Sequence, residues 1–508
     1  MPLPEDAFLK KVAQTEWTNF HGTVTVPIRA LWKIRNSSTA STMAGMRETA
    51  DRLQALIRHA VAQRVRLRAV GSRWSFSEVA AAKDGWALQT DQLNFDFTVG
   101  PGSVDPGFTG APGDLVFAQA GASVAELNRK IEAAPRLRSF RTTGASNGQT
   151  LGGALGTGIH GSAIDAAGFE GEVAGLQLLT GTRNLWLEHP DHPTMNAGFA
   201  AKLGAELIRD VDLFSAALVS LGALGIVHSA VLRTVPRYRL RSFLRKMPLA
   251  QILPALATLD FTGAPLPDPA HRPYFARLVF DPGAKEESGY VTSRYKEACP
   301  SDYVTDGALK SGYEAGNDLP GVFSKILQTV PQLRPLVVAL AIASELSPFE
   351  NKLGTPAETY SYTASKPGSA GAAVAFPTAH LVQALTEARA AFKVSPYAPI
   401  AFACRFVQPS PALLGFTRFA PTCVMDVDGI DTPATRALME AVRARFDAAG
   451  IVYAQHWGKL HGLTAARLQR SHGDRLARWH HARETLLPDA DTRYVFSTDL
   501  LTAIGLHR

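Results

Sequence analysis

The hydrophobic positions in the first half of the chain follow helical and strand spacing in turn. Residues 44–63 place apolar side chains three and four positions apart, which predicts an amphipathic helix. Residues 65–70 alternate apolar side chains with arginines, which predicts a strand that ends at the turn Gly71-Ser72. A further α/β passage follows: it has a strand at 115–121, then Ser123 as a helix N-cap, and then a helix through Ile131. The pattern therefore predicts α/β units.

The pattern changes at Pro236, where we expect a boundary. Before it, 175–187 predicts two strands joined by a Thr-Gly-Thr turn, and 212–236 predicts a helix, a glycine break and an apolar strand. Beyond it, prolines cluster at 254–273, and we expect 300–360 to be largely helical. Further elements are predicted as strands 274–280, 398–407 and 422–427 and helices 378–393 and 432–449. This alternation predicts a second, α+β domain.

Composition narrows the class of protein. A chain of 508 residues is expected to form two or three structural units, and 46% hydrophobic with 19% charged residues is typical of a packed globular protein. The net charge of +7 is spread thinly, without a basic run interleaved with aromatic residues, so we expect no nucleic-acid partner. The three cysteines lack metal-ligand spacing, and we expect Cys404 and Cys423 to be core thiols in a reducing compartment.

No segment has the features of a targeting or membrane sequence. The first fourteen residues lack the apolar region of a signal peptide. The most apolar run, 336–343, is too short to span a bilayer and precedes Glu345, so we expect a buried helix there. These features predict a cytoplasmic protein without a membrane span.

A glycine-rich segment at 141–162 is the main candidate for binding chemistry. It holds seven glycines with apolar residues between them, unlike a flexible linker. Glycine lets a backbone approach a ligand closely, and its amides suit a pyrophosphate or an electron-rich ring. Close packing of glycines in a core explains the segment equally well. Within it, His160 is expected to be a structural hydrogen-bond bridge.

Five separated motifs in order resemble flavoproteins of the vanillyl-alcohol-oxidase / p-cresol-methylhydroxylase type, in the aldonolactone and alditol oxidase branch. The matching segments are 17–22, LRAVGSRWSFSE at 67–78, QTLGGALGTGIHGS at 149–162, VSLGALGIV at 219–227 and HWGK at 456–459. The resemblance is thin between about 240 and 400. It implies an α+β fold with a two-subdomain FAD-binding domain (17–240), a mixed-sheet substrate domain covering the flavin (241–455) and a C-terminal segment (456–508) returning to the first domain.

The resemblance also implies which residues hold the cofactor. FAD would lie extended, with its pyrophosphate against the glycine-rich segments. The cofactor-binding residues carried over are Gly71, Ser72, Arg73, Trp74, Ser75, Ala145, Ser146, Thr150, Gly152, Gly153, Thr157, His160, Gly161, Ser162, Gly225, Ile226 and Lys459.

Trp74 marks a departure from the family. Family oxidases carry a histidine in this turn, bonded covalently to the flavin, and an indole cannot form that bond. We therefore predict non-covalent FAD. Trp74 itself is expected either to pack against the flavin's dimethylbenzene edge or to be an ordinary core tryptophan.

The substrate pocket departs as well. Family polyol and lactone enzymes carry a Glu two residues before an Arg on one strand; here Arg405 fits, and Ala403 stands at the Glu position. The family's His and Thr on the neighbouring strand align loosely with Thr422 and Val424. Because an unpaired buried polar group costs about 1–3 kcal/mol, the loss of a carboxylate predicts a small, non-sugar substrate.

Arg405, Lys459 and Ser146 are the catalytic residues that the resemblance implies. Arg405 and Lys459 would stabilise negative charge at the flavin N1–C2=O edge, unless they are solvated or in ordinary ion pairs. Ala145 and Ser146 match a pair lying over the flavin, where small side chains govern oxygen access. His461 is predicted either to face the site or to be exposed. Asp426 and Asp428 alternate on one strand end; we expect both to be exposed and predict no metal site.

Three functions are open on this basis. The first is an FAD-dependent oxidoreductase that removes a hydride from a C–H bond next to oxygen or nitrogen, with O₂ or another electron acceptor. The second is an aldonolactone or alditol oxidase with an altered pocket. The third is a flavin-binding or partner-binding protein without catalysis.

Overall fold

A computed structural model describes residues 5–36, 43–144, 148–305, 327, 329–360 and 368–507. The described strands are β1 (Leu9–Val12), β2 (Glu16–Thr18), β3 (Thr25–Pro27), β4 (Ala30–Arg35), β5 (Leu67–Val70), β6 (Trp86–Gln92), β7 (Asp96–Thr98), β8 (Leu115–Gln119), β9 (Arg138–Ser139), β10 (Val173–Leu179), β11 (Asn184–Glu188), β12 (Glu206–Arg209), β13 (Ile226–Arg233), β14 (Val235–Pro236), β15 (Tyr238–Pro248), β16 (Phe275–Phe280), β17 (Ser288–Ala298), β18 (Phe349–Gly354), β19 (Ser369–Pro377), β20 (Ile400–Val407), β21 (Thr422–Ile430) and β22 (Ala454–Gln455).

The described α-helices surround these strands. They are Met43–Ala62, Val124–Glu132, Leu151–Thr157, Ala197–Lys202, Val211–Leu218, Leu249–Thr258, Arg334–Glu345, Pro356–Thr359, Leu381–Val394, Pro433–Ala448, Ala465–His472, Asp474–Leu486, Ala490–Val495 and Asp499–Ala503. The first of them is the helix predicted at 44–63, and its apolar positions Leu53, Leu56 and Ile57 are fully buried.

Two mixed sheets form the first half of the molecule. In the order β1-β4-β6-β5, strands β4 and β5 run parallel to β6, and β1 pairs antiparallel with β4. The second sheet has the order β12-β11-β10-β13-β8-β7, with only β11 and β12 parallel among its registered pairs. Helix Leu151–Thr157 at the centre of the glycine-rich segment packs its buried residues into the core shared by both sheets.

The second half of the described chain is organised by one eight-stranded sheet, in the order β18-β15-β17-β16-β20-β21-β19-β22. Its registered pairs are all antiparallel, whereas a mixed sheet was expected. Helices Leu249–Thr258, Leu381–Val394 and Pro433–Ala448 pack on one face, where Cys404 and Cys423 are buried as predicted. The opposite face carries Arg405 and Asp426, because side chains alternate along each strand.

The C-terminal segment packs into the core of the first half. Helix Asp474–Leu486 contacts helix Val211–Leu218, and its Trp479 is fully buried in the same core cluster as Leu218. Arg483 donates hydrogen bonds to the carbonyls of Ala223 and His507. These contacts agree with the division at 240 and 455, which stays a prediction.

Several elements differ from expectation beyond Pro236. Part of 300–360 lies outside the described residues, and its described part contains strand β18 as well as helices. The predicted helix at 336–343 is present within Arg334–Glu345. The prediction that this helix is buried was wrong, since Leu336 is 57% and Leu340 51% exposed. An apolar run can predict a helix, but it does not show which other elements pack against that helix. Within the described ranges, no helix has the length and apolar composition needed to cross a bilayer.

Candidate functional site

A cavity of about 360 Å³ lies where the three large sheets meet. Its walls come from the turn after β5, the glycine-rich segment, the loop before β13, the helix-free face of the eight-stranded sheet, and residues 456–459. The volume falls within the roughly 300–1,000 Å³ range of small-molecule sites. Segments more than 300 residues apart in sequence therefore share one binding space.

The glycines of the cavity wall are needed for close backbone packing. A Cβ on Gly71 would lie 1.9 Å from Thr150 Oγ1, so the turn after β5 can touch helix Leu151–Thr157 only with glycine there. The Gly152 amide donates to the Ala120 carbonyl at 2.7 Å. Gly225 has φ +132°, and a Cβ on it would come within 2.4 Å of the Leu179 carbonyl oxygen. These contacts bring backbone from three segments to the cavity surface.

Most of the predicted cofactor residues line this cavity. Those in its wall are Gly71, Ser72, Arg73, Trp74, Ser75, Thr150, Gly152, Gly153, Thr157, His160, Gly225, Ile226 and Lys459, and the predicted catalytic Arg405 joins them. Ala145 and Ser146 lie outside the described residues.

Gly161 and Ser162 are not among the lining residues. Ser162 Oγ accepts a hydrogen bond from the Phe406 amide at 3.0 Å and donates to the Ala276 carbonyl. Ser162 therefore joins the glycine-rich segment to strands β16 and β20. A Cβ on Gly161 would come within 2.6 Å of Thr142 Oγ1 and the Thr143 carbonyl oxygen.

Trp74 lies at the cavity wall with its ring stacked on Phe20, the centroids 5.2 Å apart and the planes 11° from parallel. Gly148 also lies against the ring, and a Cβ there would come within 2.2 Å of the indole. The indole is thus packed by protein and also borders the cavity, so its geometry is compatible with both predictions made for it.

Lys459 is placed by a segment that bridges the two halves of the molecule. The Trp457 and Gly458 carbonyls accept hydrogen bonds from Ser77 Oγ at 2.6 Å and from the Phe76 amide at 2.7 Å. On the other side, the Leu460 amide donates to the Gly371 carbonyl of β19 at 2.8 Å. The lysine between them is held at the junction of the turn after β5 and the eight-stranded sheet.

A buried carboxylate connects the two predicted catalytic cations. Asp426 Oδ1 accepts from Lys459 Nζ at 2.7 Å, and its Oδ2 lies 3.2 Å from Arg405 Nε. Although burial opposes its ionisation, Arg405 and Lys459 together hold the pKa of Asp426 well below its ordinary value. Asp428 Oδ1 accepts from the same lysine at 2.8 Å.

The expectation that Asp426 is exposed was wrong. Its side chain is fully buried, whereas the Asp428 side chain is 44% exposed. Alternation placed both on one face of β21, but that face is covered by residues 456–459 and the first half of the molecule. The described His, Cys, Asp and Glu side chains include no group of three that could hold a metal ion.

The strand register shows which side chain lies beside Ala403, the position at which the resembled enzymes carry a glutamate. Ala403 is directly opposite Asp426 on the neighbouring strand, and Arg405 is opposite Val424. Opposite residues of an antiparallel pair project to the same face, so Asp426 supplies a carboxylate beside the position of Ala403. Thr422 instead donates to the Phe419 carbonyl, and Val424 is buried in an apolar cluster.

Two buried histidines complete this end of the cavity. The His160 and His456 rings are 5.8 Å apart, and both contact Phe416. Burial, reinforced by the charge of Arg405, lowers the pKa of His160 to about 4, and burial lowers the pKa of His456. His160 Nδ1 lies 3.1 Å from the Gly161 carbonyl, consistent with a structural bridge. His461 is partly buried and absent from the cavity lining.

Sequence reasoning missed Arg68 and His21, which also line the cavity. Arg68 donates to the carbonyls of Val79, Leu221 and Gly222, fixing the loop before β13 against β5. His21 Nε2 lies 2.9 Å from the Trp74 carbonyl, and its ring stacks on Phe76. The alternation of arginines with apolar residues at 65–70 predicted a strand but did not show that Arg68 is buried.

Comparison with known families identifies the domain around this cavity. Residues 46–183 match the family model described as FAD binding domain. These residues form an FAD-binding domain. They include the turn after β5 and the whole glycine-rich segment, and the prediction of FAD as the cofactor is confirmed.

Curated relatives match over the same part of the chain. D-arabinono-1,4-lactone oxidase of Eremothecium gossypii is 29% identical over 192 residues, which is 38% of this chain and 31% of that protein. L-gulono-1,4-lactone dehydrogenase of Mycobacterium tuberculosis is 28% identical over 193 residues, or 38% and 37%. The chain thus spans about a third of the length of the curated relatives it matches.

Solved structures match over nearly the whole chain. Cholesterol oxidase from B. sterolicum has a TM-score of 0.67 at 14% identity, covering 99% of each chain. Xylooligosaccharide oxidase from Myceliophthora thermophila, in complex with xylobiose, has a TM-score of 0.63 at 12% identity, covering 95% of this chain and 93% of that one. These structures confirm the predicted fold class. The resemblance is confirmed by the FAD binding domain model together with the lactone oxidase and dehydrogenase relatives.

The residues present fit FAD. Several buried polar atoms of the cavity-lining side chains have no hydrogen-bond partner: His21 Nδ1, Arg68 Nε and Gln149 Oε1. A Cβ on Gly156, which also lines the cavity, would meet no protein atom within 4 Å. Open backbone and unpaired polar atoms at one surface are what a polar, flat cofactor requires.

Proposed function

We propose that this protein is an FAD-dependent oxidoreductase that removes a hydride from a C–H bond next to oxygen or nitrogen of a small, non-sugar substrate. The observation that carries the proposal is the convergence of the glycine-rich segment, Arg405 and Lys459 on one cavity within an FAD-binding domain. FAD supplies the hydride acceptor.

The chain's own residues supply charge and shape. Lys459 is 17% exposed and Arg405 13% exposed, so both cations act in a largely desolvated site where electrostatic stabilisation is strong. Asp426 orients both and lowers their combined charge to +1. We propose that they stabilise negative charge that develops on the cofactor ring during hydride transfer.

Non-covalent attachment of FAD belongs to the same proposal. Trp74 occupies the position of the family's attachment histidine, and an indole nitrogen is not a nucleophile. We expect purified protein to be yellow, and acid precipitation to leave the flavin in the supernatant. A colourless protein that does not take up FAD would contradict the proposed function. A yellow pellet would contradict only the proposal that FAD is attached non-covalently.

The role of Lys459 is testable by substitution. Lys459→Met is expected to slow anaerobic flavin reduction by an active substrate about 10²–10³-fold, the usual cost of losing one preorganised charge-stabilising group. Lys83→Met removes an exposed lysine and serves as the matched control. Equal rates of flavin reduction in the two variants would mean that Lys459 has only a structural role, through its ion pairs.

A second candidate is an aldonolactone or alditol oxidase, because Asp426 places a carboxylate beside the position where such enzymes carry a glutamate. The names of the relatives point the same way. Turnover of D-arabinono-1,4-lactone or L-gulono-1,4-lactone at ordinary enzyme rates would favour this function. Flavin reduction by simple alcohols or amines, with both lactones inactive, would favour the first.

A further inference from the structure

A second group of cations lies beside Arg405 on the helix-free face of the eight-stranded sheet. Arg277 of β16 is directly opposite Arg405 of β20. On the other side of β16, Phe275 is directly opposite Arg294 of β17. Since opposite residues share a face, the three arginines step across three neighbouring strands on the side that meets the cavity.

The guanidinium donors of Arg277 and Arg294 are poorly satisfied. Arg277 Nη2 reaches Thr292 Oγ1 at a long 3.5 Å, and its buried Nε has no hydrogen-bond partner. Arg294 stacks over Phe275 at 4.2 Å and bonds to the Tyr360 side chain, while its Nε and Nη1 are buried without partners. Buried donors left unpaired within a folded protein require an explanation, and a bound ion or ligand is one.

The charges on this face do not balance within the described part of the chain. Arg277, Arg294, Arg405 and Lys459 carry four positive charges, and the carboxylates among them are Asp426 and Asp428. Both carboxylates are bound by Lys459, and neither Arg277 nor Arg294 makes an ion pair with a described residue.

Both burial and the neighbouring cation disfavour the charged form of Arg277. Burial, followed by the charge of Arg405, lowers the pKa of Arg277 to about 9. Like charges directly opposite each other on neighbouring strands are destabilising. An anion between them would relieve that repulsion, and a planar carboxylate matches the guanidinium fork.

Apolar side chains adjoin the arginines. Val279 and Ala403, each two residues along its strand from an arginine, pack with Leu244 and Leu346 in a small cluster. Partly buried Tyr290 and Phe349 pack against it. The face thus offers an anion-binding group next to an apolar surface.

We propose that Arg277 and Arg294 form a subsite for a carboxylate of the substrate, and that the apolar cluster beside them holds its hydrocarbon body. The substrate class is an apolar hydroxy or amino acid. This inference rests on the proposed function, since it assumes that the molecule oxidised at the flavin is the one bound here.

Calorimetric titration of the full-length protein as purified, with a matched pair of probes, tests the subsite. Benzoate is expected to bind at least ten-fold more tightly than benzamide, which has the same ring and no charge. The double variant R277Q/R294Q is expected to weaken benzoate binding at least ten-fold while leaving benzamide binding and FAD content unchanged. Arg436→Gln, which removes an arginine paired with Asp431 away from the cavity, is the control.

Equal binding of benzoate and benzamide by the unsubstituted protein would overturn the proposal without any variant. A benzoate preference that survives in R277Q/R294Q would also overturn it. If that variant loses FAD while keeping the preference, the arginines bind the cofactor instead of the substrate. Benzoate selectivity in a protein that never binds FAD would support the subsite and remove the proposed function.

Discussion

At the scale of single residues, one carboxylate determines the charge of the candidate site. Asp426 is fully buried between Arg405 and Lys459, and its ionised form is stabilised by both. Without it, two cations would remain buried side by side. Removing one partner of a buried ion pair is costly because the other charge stays desolvated.

Asp426→Asn is accordingly expected to lower the free energy of unfolding by about 3–5 kcal/mol, measured by denaturant titration. Asp428→Asn removes a carboxylate that binds the same lysine but is 44% exposed, so a loss of about 0–1 kcal/mol is expected there. Equal losses in the two variants would contradict the assignment of Asp426 as the main counter-charge.

A buried histidine away from the cavity gives the protein a defined pH dependence. Burial, with the nearby charges of Arg418 and Arg475, lowers the pKa of His472 from 6.5 to about 3. Below pH 6.5 the unfolded chain therefore binds a proton that the folded chain does not. Stability from the neutral imidazole is complete above pH 6.5 and is lost as the pH falls towards 3.

His472→Asn is expected to remove this component. The unfolding free energy of the wild type should fall relative to that of the variant by about 1.4 kcal/mol per pH unit between pH 6 and 5. Above pH 7.5 the difference between the two proteins should be constant. A difference that stays constant down to pH 5 would mean that His472 binds its proton normally in the folded protein.

At the scale of elements, helix Leu151–Thr157 has one side in the core and one side on the cavity. Leu151, Ala154 and Leu155 are buried, whereas Gly156 borders the cavity. A glycine inside a helix lowers stability by roughly 0.5–1 kcal/mol relative to alanine, so its presence requires another reason. Contact with the cofactor is that reason in the proposed function.

Gly156→Ala separates folding from cofactor binding. A Cβ there meets no protein atom within 4 Å, so the FAD-free protein should be as stable as the wild type or up to about 1 kcal/mol more stable. FAD affinity, measured by fluorescence titration, should fall at least ten-fold. Gly113→Ala, at an exposed glycine with similar free space, should change neither. Unchanged FAD affinity in Gly156→Ala would place the cofactor elsewhere in the cavity.

At the scale of the whole molecule, the two ends of the chain depend on each other. Residues 456–460 join β19 to the turn after β5, and the helices that follow complete the core of the FAD-binding domain. A domain defined by the matched residues 46–183 would lack Trp479 and its neighbours.

Trp479→Ala is expected to destabilise the FAD-binding domain by about 3–5 kcal/mol, the usual cost of truncating a fully buried aromatic side chain. Denaturant unfolding followed by release of FAD fluorescence would report the change in that domain. Tyr397 lies in the second half of the molecule and is 51% exposed, so Tyr397→Ala should have little effect on the stability of this domain. Unaltered FAD release in Trp479→Ala would show that the domain is stable without the C-terminal helices.

Local patterns predicted most elements because their causes are local. The spacing of Leu53, Leu56 and Ile57 specified an amphipathic helix, and glycines specified the turns that separate strand from helix. Burial was predicted less well: Leu336 is exposed, although a buried helix was expected there, and the sequence pattern did not reveal that Arg68 is buried. Burial depends on distant elements, whose positions are not encoded in a window of ten residues.

The sequence by itself determined that the cofactor is FAD, because its ordered motifs resemble those of one flavoprotein family; the glycine-rich segment alone fitted core packing equally well. It also identified Arg405 and Lys459 through the motifs around them. Tertiary structure alone decided that Asp426 stands opposite Ala403, and that Arg277 stands opposite Arg405. Strand register sets which charges meet, and register follows from the packing of the whole eight-stranded sheet rather than from any one strand.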